Sequence, residues 1–414
     1  MDIRERLENI HRVFPLTKPK RSVGSGVDID KIIPGEEIST QYGTCFRTVE
    51  IYPHTHGHGA ISLNLMDEVD SRIYGIIGRD RSLSGVDMRN AVYIDTETTG
   101  LAGGTGTVPF LVGLGYFSGE NFHIEQFFIR DYNEERAMLL LISKKFKDFD
   151  AVVSYNGKSY DINILSTRFI LSRIDDSVRN LPHLDLLYVC RRLWSRRLAN
   201  CTLLNIERSI LGFNRDEDVP SYLIPGLFFN YLINRDARPM MMIFKHNRQD
   251  IVSLALLTAL VGKIYQNPLD FLDHPLDLLS IGRSFRSENL PEMASVCFEK
   301  AKECCSEKHT AEEILRSLGY TFKHLELWER AVEVWREIIS ISPDSIFAYE
   351  ELAKHYEHRL KDYGKALDIV RSALSKIDIL EGLYNKNISY EREALKYRLA
   401  RLMRKLNRRG KKWV

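Results

Sequence analysis

The sequence has little that would place it in a membrane or outside the cell. Its six cysteines (Cys45, Cys190, Cys201, Cys297, Cys304 and Cys305) form no CxxC pair and are too sparse in 414 residues for a disulfide scaffold. The most apolar stretch, Ile251 to Leu260, is half the ~20 residues that span a bilayer. The first residues, Met1-Asp-Ile-Arg-Glu-Arg6, carry charge where a secretory signal has its apolar core. A reduced, cytoplasmic setting is therefore expected. A large charge of one sign is also missing: 58 Lys+Arg against 56 Asp+Glu leaves a net +2. What is present, 44% hydrophobic and 28% charged residues, excludes disorder and collagen-like structure and suffices for a core. The length implies roughly two or three domains.

Residues 1–34 read as a flexible basic lead-in, with Thr17-Lys-Pro-Lys-Arg21 followed by Ser22-Val-Gly-Ser-Gly26. Residues 35–90 read as a β-rich N-terminal extension, with extended runs at Cys45–Tyr52, Ala60–Leu65 and Arg72–Ile77. Within it, His54-Thr-His-Gly-His58 is expected to be a turn rather than a zinc site, because no fourth ligand accompanies its alternate spacing. From Ala91 strands and helices alternate. Ala91–Ile94, Phe110–Phe117 and Phe122–Ile129 predict a three-strand meander, followed by helix (134–146), strand (151–155), helix (159–171) and a long last helix (239–264). The unit 91–266 is thus expected to be α/β, a mixed sheet with flanking helices.

After Pro268 the strands stop. Leu278, Gly282, Phe285, Ala294, Phe298 and Ala301 recur 37 residues on as Leu315, Gly319, Phe322, Ala331, Trp335 and Ile338. A third copy begins at Tyr349, Ala353 and Tyr356 and continues at Ala366, Val370 and Ala373. Small and large residues in fixed order predict tetratricopeptide-like helical pairs over 275–414, a candidate surface for a protein partner. Glu391–Leu406 is the expected closing helix.

Two apparent phosphate loops fail. Gly157-Lys-Ser159 lacks the first P-loop glycine, which would fall at Val152, and Gly104-Thr-Gly106 runs into Pro109 with no helix after it. The informative residues are carboxylates. Asp95-Thr-Glu97 ends the first strand of the meander, and residues two apart in a strand share a face. Two carboxylates that close are unfavourable unless a cation lies between them. Asp161 opens a helix after a buried strand, where Ser159 is an equally good cap. Asp250 lies in the last helix, one turn after His246 in His246-Asn-Arg-Gln-Asp250. Oxygen ligands without cysteine favour Mg²⁺ or Mn²⁺, and four such carboxylates suit a two-metal phosphodiester site. A histidine one turn from such a carboxylate can accept the proton of an attacking water.

Asp95-Thr-Glu-Thr-Thr-Gly-Leu101, Tyr155-Asn-Gly-Lys-Ser-Tyr-Asp161 and His246-Asn-Arg-Gln-Asp250 resemble the three motifs of DEDD exonucleases with a ribonuclease H-like fold. The resemblance is strongest to the YprB-type branch, whose nuclease domain is likewise followed by tetratricopeptide-like repeats. It implies that Asp95, Glu97, Asp161 and Asp250 bind two metal ions and that His246 is the general base. It also implies 3′–5′ hydrolysis of single-stranded nucleic-acid ends. One feature departs from the pattern: histidine-type members place four residues between this His and the last Asp, and here there are three. On a helix that turns the imidazole ~100° around the axis. Asp185, in His183-Leu-Asp185, reads as a structural acid rather than an accessory ligand.

Two segments bear on nucleic acid. Arg191-Arg-Leu-Trp-Ser-Arg-Arg197 mixes guanidinium groups with an indole, and residues 396–412 carry nine basic side chains and no acidic one. The rival readings are a non-catalytic nucleic-acid adaptor and a scaffold acting through the repeats. The residues do not distinguish DNA from RNA.

Overall fold

The computed structural model describes residues 26–59, 61–100, 104–384 and 389–410. Most of the basic lead-in, residues 1–25, and the last four residues of the basic tail lie outside them. The chain divides into two units, Met1–Leu187 with Thr202–Leu260, and Tyr188–Cys201 with Val261–Val414.

The first unit is built on seven strands: β1 (Glu36–Thr40), β2 (Gly43–Pro53), β3 (Ala91–Thr98), β4 (Pro109–Ser118), β5 (Asn121–Phe128), β6 (Ala151–Ser154) and β7 (His183–Asp185). They form one mixed sheet in the order β1-β2-β5-β4-β3-β6-β7. The expected meander is β3-β4-β5, all antiparallel. β6 pairs parallel to β3, and β7 parallel to β6. Ala91–Ile94 and Ala151–Ser154 are buried throughout, as continuous apolar runs demand of strands covered on both faces. β2 pairs with β5 from Phe46↔Phe128 to Pro53↔Asn121, so this part of the N-terminal extension belongs to the same sheet.

Two expectations for that extension are corrected. Arg72–Ile77 is not a strand; Ile73–Gly78 is helical and ends at Arg79 in the left-handed region. Its buried residues, Tyr74 and Ile77, are three apart, the helical rather than the strand period. Of the expected run Ala60–Leu65, residue 60 lies outside the described residues; Ile61–Ser62 is extended, pairing with Gly57–His58, and a 3₁₀ turn begins at Leu63. His58 is buried in that hairpin. Its ring stacks on Phe213 at 3.7 Å, and Nδ1 lies 3.2 Å from Ser253 Oγ.

Helices α1 (Glu135–Phe146), α2 (Asp161–Ser172) and α3 (Met240–Gln266) follow where the periodicity placed them. α3 closes tightly on β4 because two strand positions are glycine: a Cβ at Gly113 or Gly115 would collide with Ile251, and at Gly113 also with Asn247.

In the second unit the helices from residue 275 onward come in pairs: Pro275–Ser287 with Pro291–Cys304, and Lys308–His324 with Trp328–Ile341. Gly282 lies against the ring of Phe298, and Gly319, 37 residues on, against that of Trp335. Ile346–Lys354 runs through a π turn (His355–Arg359) and is followed by Tyr363–Tyr384 and Ser389–Gly410. The Arg191–Arg197 segment offers no indole for stacking, because Trp194 is fully buried. Two of its four arginines are engaged too: Arg197 pairs with buried Asp277, and Arg196 with Glu313.

Three of the nine cations of the basic C-terminal block are likewise turned inward. The side chain of Glu357 is wholly buried and paired with Arg398 at 2.6 Å, Arg401 at 2.7 Å and Lys405 at 2.9 Å. Burial pushes its pKa up, but the hydrogen bonds from Arg401 and Lys405 outweigh burial and hold it at about 2. Glu357→Gln should cost ~3 kcal/mol at neutral pH, the low end for breaking a buried pair, since the cations keep some water. The pKa is depressed, so the stabilisation is complete above the ordinary carboxyl range and is lost as pH falls towards 2. Urea midpoints of wild type and Glu357→Gln should therefore differ widely at pH 7 and converge in acid. A constant difference would mean that the charge is not what matters.

Candidate active site

The sequence-predicted residues come from three segments: the end of β3, the start of α2 and the middle of α3. β3 delivers Asp95 and Glu97, with a register irregularity between Glu97 and Thr98 where the strand leaves the sheet. α2 starts at Asp161, and Tyr160 just before it gives no side-chain cap. The loop ahead of it is pinned by Asp185, whose carboxylate accepts the main-chain N–H of Asn156 at 2.8 Å, Lys158 at 3.0 Å and Leu187 at 3.1 Å. That supports the structural reading of Asp185. Asn156 sits in the left-handed region (φ 66°), a conformation asparagine tolerates better than most residues.

These segments converge. Glu97 and Asp161 are buried, and Asp95 and Asp250 are half-buried. Burial raises the pKa of Asp95 well above the carboxylate range, and the charges of Asp250, Glu97 and Asp161 raise it further. Burial takes Glu97 to about 8 although His246 pulls it back, and takes Asp161 to about 6 against the hydrogen bond from Thr96. The shorter spacing to Asp250 does not carry the histidine away. Its Nε2 lies 3.9 Å from Glu97 Oε1 and 3.8 Å from Asp250 Oδ2. Burial opposes a charge on this ring, but Asp250, Asp218 and Glu97 prevail and raise its pKa to about 10.

Several participants were not legible in the motifs. Asp218 Oδ1 lies 2.6 Å from His246 Nδ1, which turns Nε2 towards the carboxylates. Arg215 is nearly buried and contacts Glu207, Asp218 and Asp250 together. Asn247 donates to Asp95 Oδ2 at 2.7 Å. Asn247 stands inside the third motif, but Arg215 and Asp218 lie in an irregular acidic loop with no periodicity or spacing to mark them.

Each aspartate thus carries one side-chain donor: Asn247 on Asp95, Thr96 on Asp161 and Arg215 on Asp250. With the side chains so turned, no three His, Cys, Asp or Glu among the described residues converge tightly enough to hold an ion. The donor set nevertheless fits a hard divalent cation: oxygen ligands only, desolvated and mutually repelling, with no thiolate among them.

Residues 92–261 match the RNase_H superfamily model. The chain is also 31% identical over 367 residues to the uncharacterized protein YprB of Bacillus subtilis (strain 168), an alignment covering 87% of this chain and 85% of that protein. The chain belongs to the YprB family. Its first unit holds an RNase H-like domain, in which the carboxylates of this YprB-family chain lie at one end of β3 and on the helices beside it. A weaker structural likeness is to the family B DNA polymerase of the hyperthermophilic archaeon Pyrobaculum calidifontis, with a TM-score of 0.35 and 16% identity. It covers 56% of this chain and 29% of the polymerase. No helix among the described residues is long and apolar enough to cross a membrane.

Proposed function

We propose that the protein is a DEDD-type exonuclease that hydrolyses phosphodiester bonds of nucleic acid from the 3′ end of single strands. The observation that carries this reading is the convergence of Asp95, Glu97, Asp161 and Asp250 from three distant segments into one desolvated cluster, with His246 Nε2 facing it. In this reading the four carboxylates hold two Mg²⁺ or Mn²⁺ ions, which when bound polarise the phosphodiester and stabilise charge on the attacking and leaving oxygens. His246 takes the proton of the attacking water at Nε2, while Asp218 keeps the ring oriented through Nδ1. Asp185 holds the 156–160 loop so that Asp161 enters the site from the helix start. The paired helices of the second unit are tetratricopeptide-like in this proposal and bind a protein partner; Gly282 against Phe298 and Gly319 against Trp335 support that repeat. In this proposal the nuclease spans 91–266 and the repeats span 275–414. The test is digestion of matched 5′-end-labelled DNA and RNA oligonucleotides in Mn²⁺. A ladder shortening from the 3′ end is expected, and intact label with every substrate and ion would overturn the proposal.

Metal binding has a pH signature whose sign follows from the raised carboxyl pKa values. Without an ion, the folded chain binds protons on Asp95, Glu97 and Asp161 more tightly than the unfolded chain does. That stabilisation is complete in acid and is lost as pH rises through about 6 for Asp161 and about 8 for Glu97. His246, with its pKa raised to about 10, drifts in the same direction above the ordinary histidine range. The ion-free protein should therefore melt lower at pH 8 than at pH 5.5. Saturating Mn²⁺ should restore ~2–3 kcal/mol at pH 8, the effect of a ligand near 100 times its Kd, and much less at pH 5.5. Equal Mn²⁺-induced shifts at both pH values, read by calorimetry, would separate the ion from these carboxylates.

A further inference from the structure

We propose that Asn247 is a positioning residue that aims the Asp95 carboxylate at a divalent ion, an inference that rests on the functional reading above. Asn247 is fully buried on α3, and its Nδ2 donates twice to Asp95, to the main-chain oxygen at 3.1 Å and to Oδ2 at 2.7 Å. The orientation of this amide is imposed from behind. Gln126 on β5, also fully buried, donates from Nε2 to the carbonyl oxygen of Phe244 at 2.9 Å and to Asn247 Oδ1 at 2.8 Å. A carbonyl oxygen only accepts, so the Nε2 end of Gln126 must face Phe244. Asn247 must then present Oδ1 to Gln126 and Nδ2 to Asp95. The far end is closed as well: Gln126 Oε1 accepts from Thr48 Oγ1 at 3.3 Å and from the Arg248 guanidinium at 3.4 Å.

A row of aligned dipoles therefore runs from Thr48 through Gln126 and Asn247 to Asp95. Its last donor is neutral. Where Arg215 brings a full positive charge to Asp250, Asn247 fixes the direction of the Asp95 carboxylate and leaves its negative charge uncompensated. That is the arrangement a cation ligand needs. The fold makes room for it: Gly113 is paired with Asp95 across β3 and β4, and a side chain there would strike Asn247.

The test uses the full-length protein and measures Mn²⁺ binding directly, by the electron paramagnetic resonance signal of the free ion, at a temperature well below melting. Asn247→Ala should weaken Mn²⁺ binding ~10–100-fold, the usual effect of removing the partner that orients a ligand. An amide that only stabilises the fold would lower Tm and leave Mn²⁺ affinity unchanged, and that result would overturn the proposal. Because Asn247→Ala opens a buried space and is at risk of misfolding, Gln126→Leu serves as a second variant. Gln126 donates nothing to Asp95, yet its loss frees the Asn247 amide to turn, so Mn²⁺ binding should weaken in the same direction by a smaller factor. The double variant should lose no more than Asn247→Ala alone; additive losses would mean that Gln126 acts by another route and would overturn the relay. A wild-type protein that binds no Mn²⁺ would remove the functional reading itself. Tight binding by wild type and Asn247→Ala alike would remove only the role of Asn247.

Discussion

Asp95→Asn should abolish hydrolysis and leave the fold intact. Asp95 lies at the end of a central strand whose apolar residues, Ala91 to Ile94, supply the packing, while its carboxylate is turned to Asn247 and to three other acids. An amide of the same shape keeps the main-chain pairing with Gly113 and removes one ligand charge from the site. With that charge gone the ion loses a strong ligand, and the electrostatic stabilisation of the transition state falls with it. A ~10³-fold loss corresponds to about 4 kcal/mol of barrier, a plausible demand on one ionic ligand. Without an ion, desolvation and the charges of Asp250, Glu97 and Asp161 raise the pKa of the Asp95 carboxyl, so its neutral replacement should raise the melting temperature of the ion-free protein at pH 8. Activity and stability should thus move in opposite directions. An Asp95→Asn protein that degrades a labelled oligonucleotide at near the wild-type rate would sink the two-metal reading whatever its stability.

The sequence made the α/β unit legible because the strands of its meander are long, apolar and separated by clear turn residues, and because α3 keeps its apolar period through Ile251, Leu254 and Leu257. It failed at Arg72–Ile77, where six residues are too few for periodicity to separate strand from helix and two glycines hide the helical stripe. The motif residues could be read as a set because each lies in a recognisable element: the end of β3, the start of α2 and the interior of α3. Arg215 and Asp218 could not, since their proximity to Asp250 and His246 is created by the return of an irregular loop onto α3, a tertiary event that local spacing does not encode. The same holds for the cations that looked available for nucleic acid. Arg196, Arg197, Arg398 and Arg401 have acidic partners 41 to 117 residues away in sequence. No local charge count reveals that they are engaged.

The departure in histidine spacing gives His246 its own test. A ring displaced by ~100° would ordinarily leave the site. Here Asp218 draws Nδ1 to 2.6 Å and Nε2 stays within 4 Å of Glu97 and Asp250. If His246 accepts the proton of the attacking water, His246→Ala should cost ~10²–10⁴-fold in rate, the contribution of a positioned general base. The four carboxylates remain, so Mn²⁺ affinity should change far less than in Asp95→Asn. The carboxylates that raise the His246 pKa to about 10 would be offset by bound cations, and the imidazole accepts a proton only when neutral, so the acidic limb of the wild-type rate–pH profile should report its titration and disappear in His246→Ala. A histidine that serves packing alone would lower stability when removed and leave that limb in place. The decisive comparison is rate against pH for both proteins at saturating Mn²⁺ and saturating substrate. Superimposable profiles with less than a tenfold drop would remove His246 from the chemistry and make its contacts with Asp218 and Asp250 purely structural.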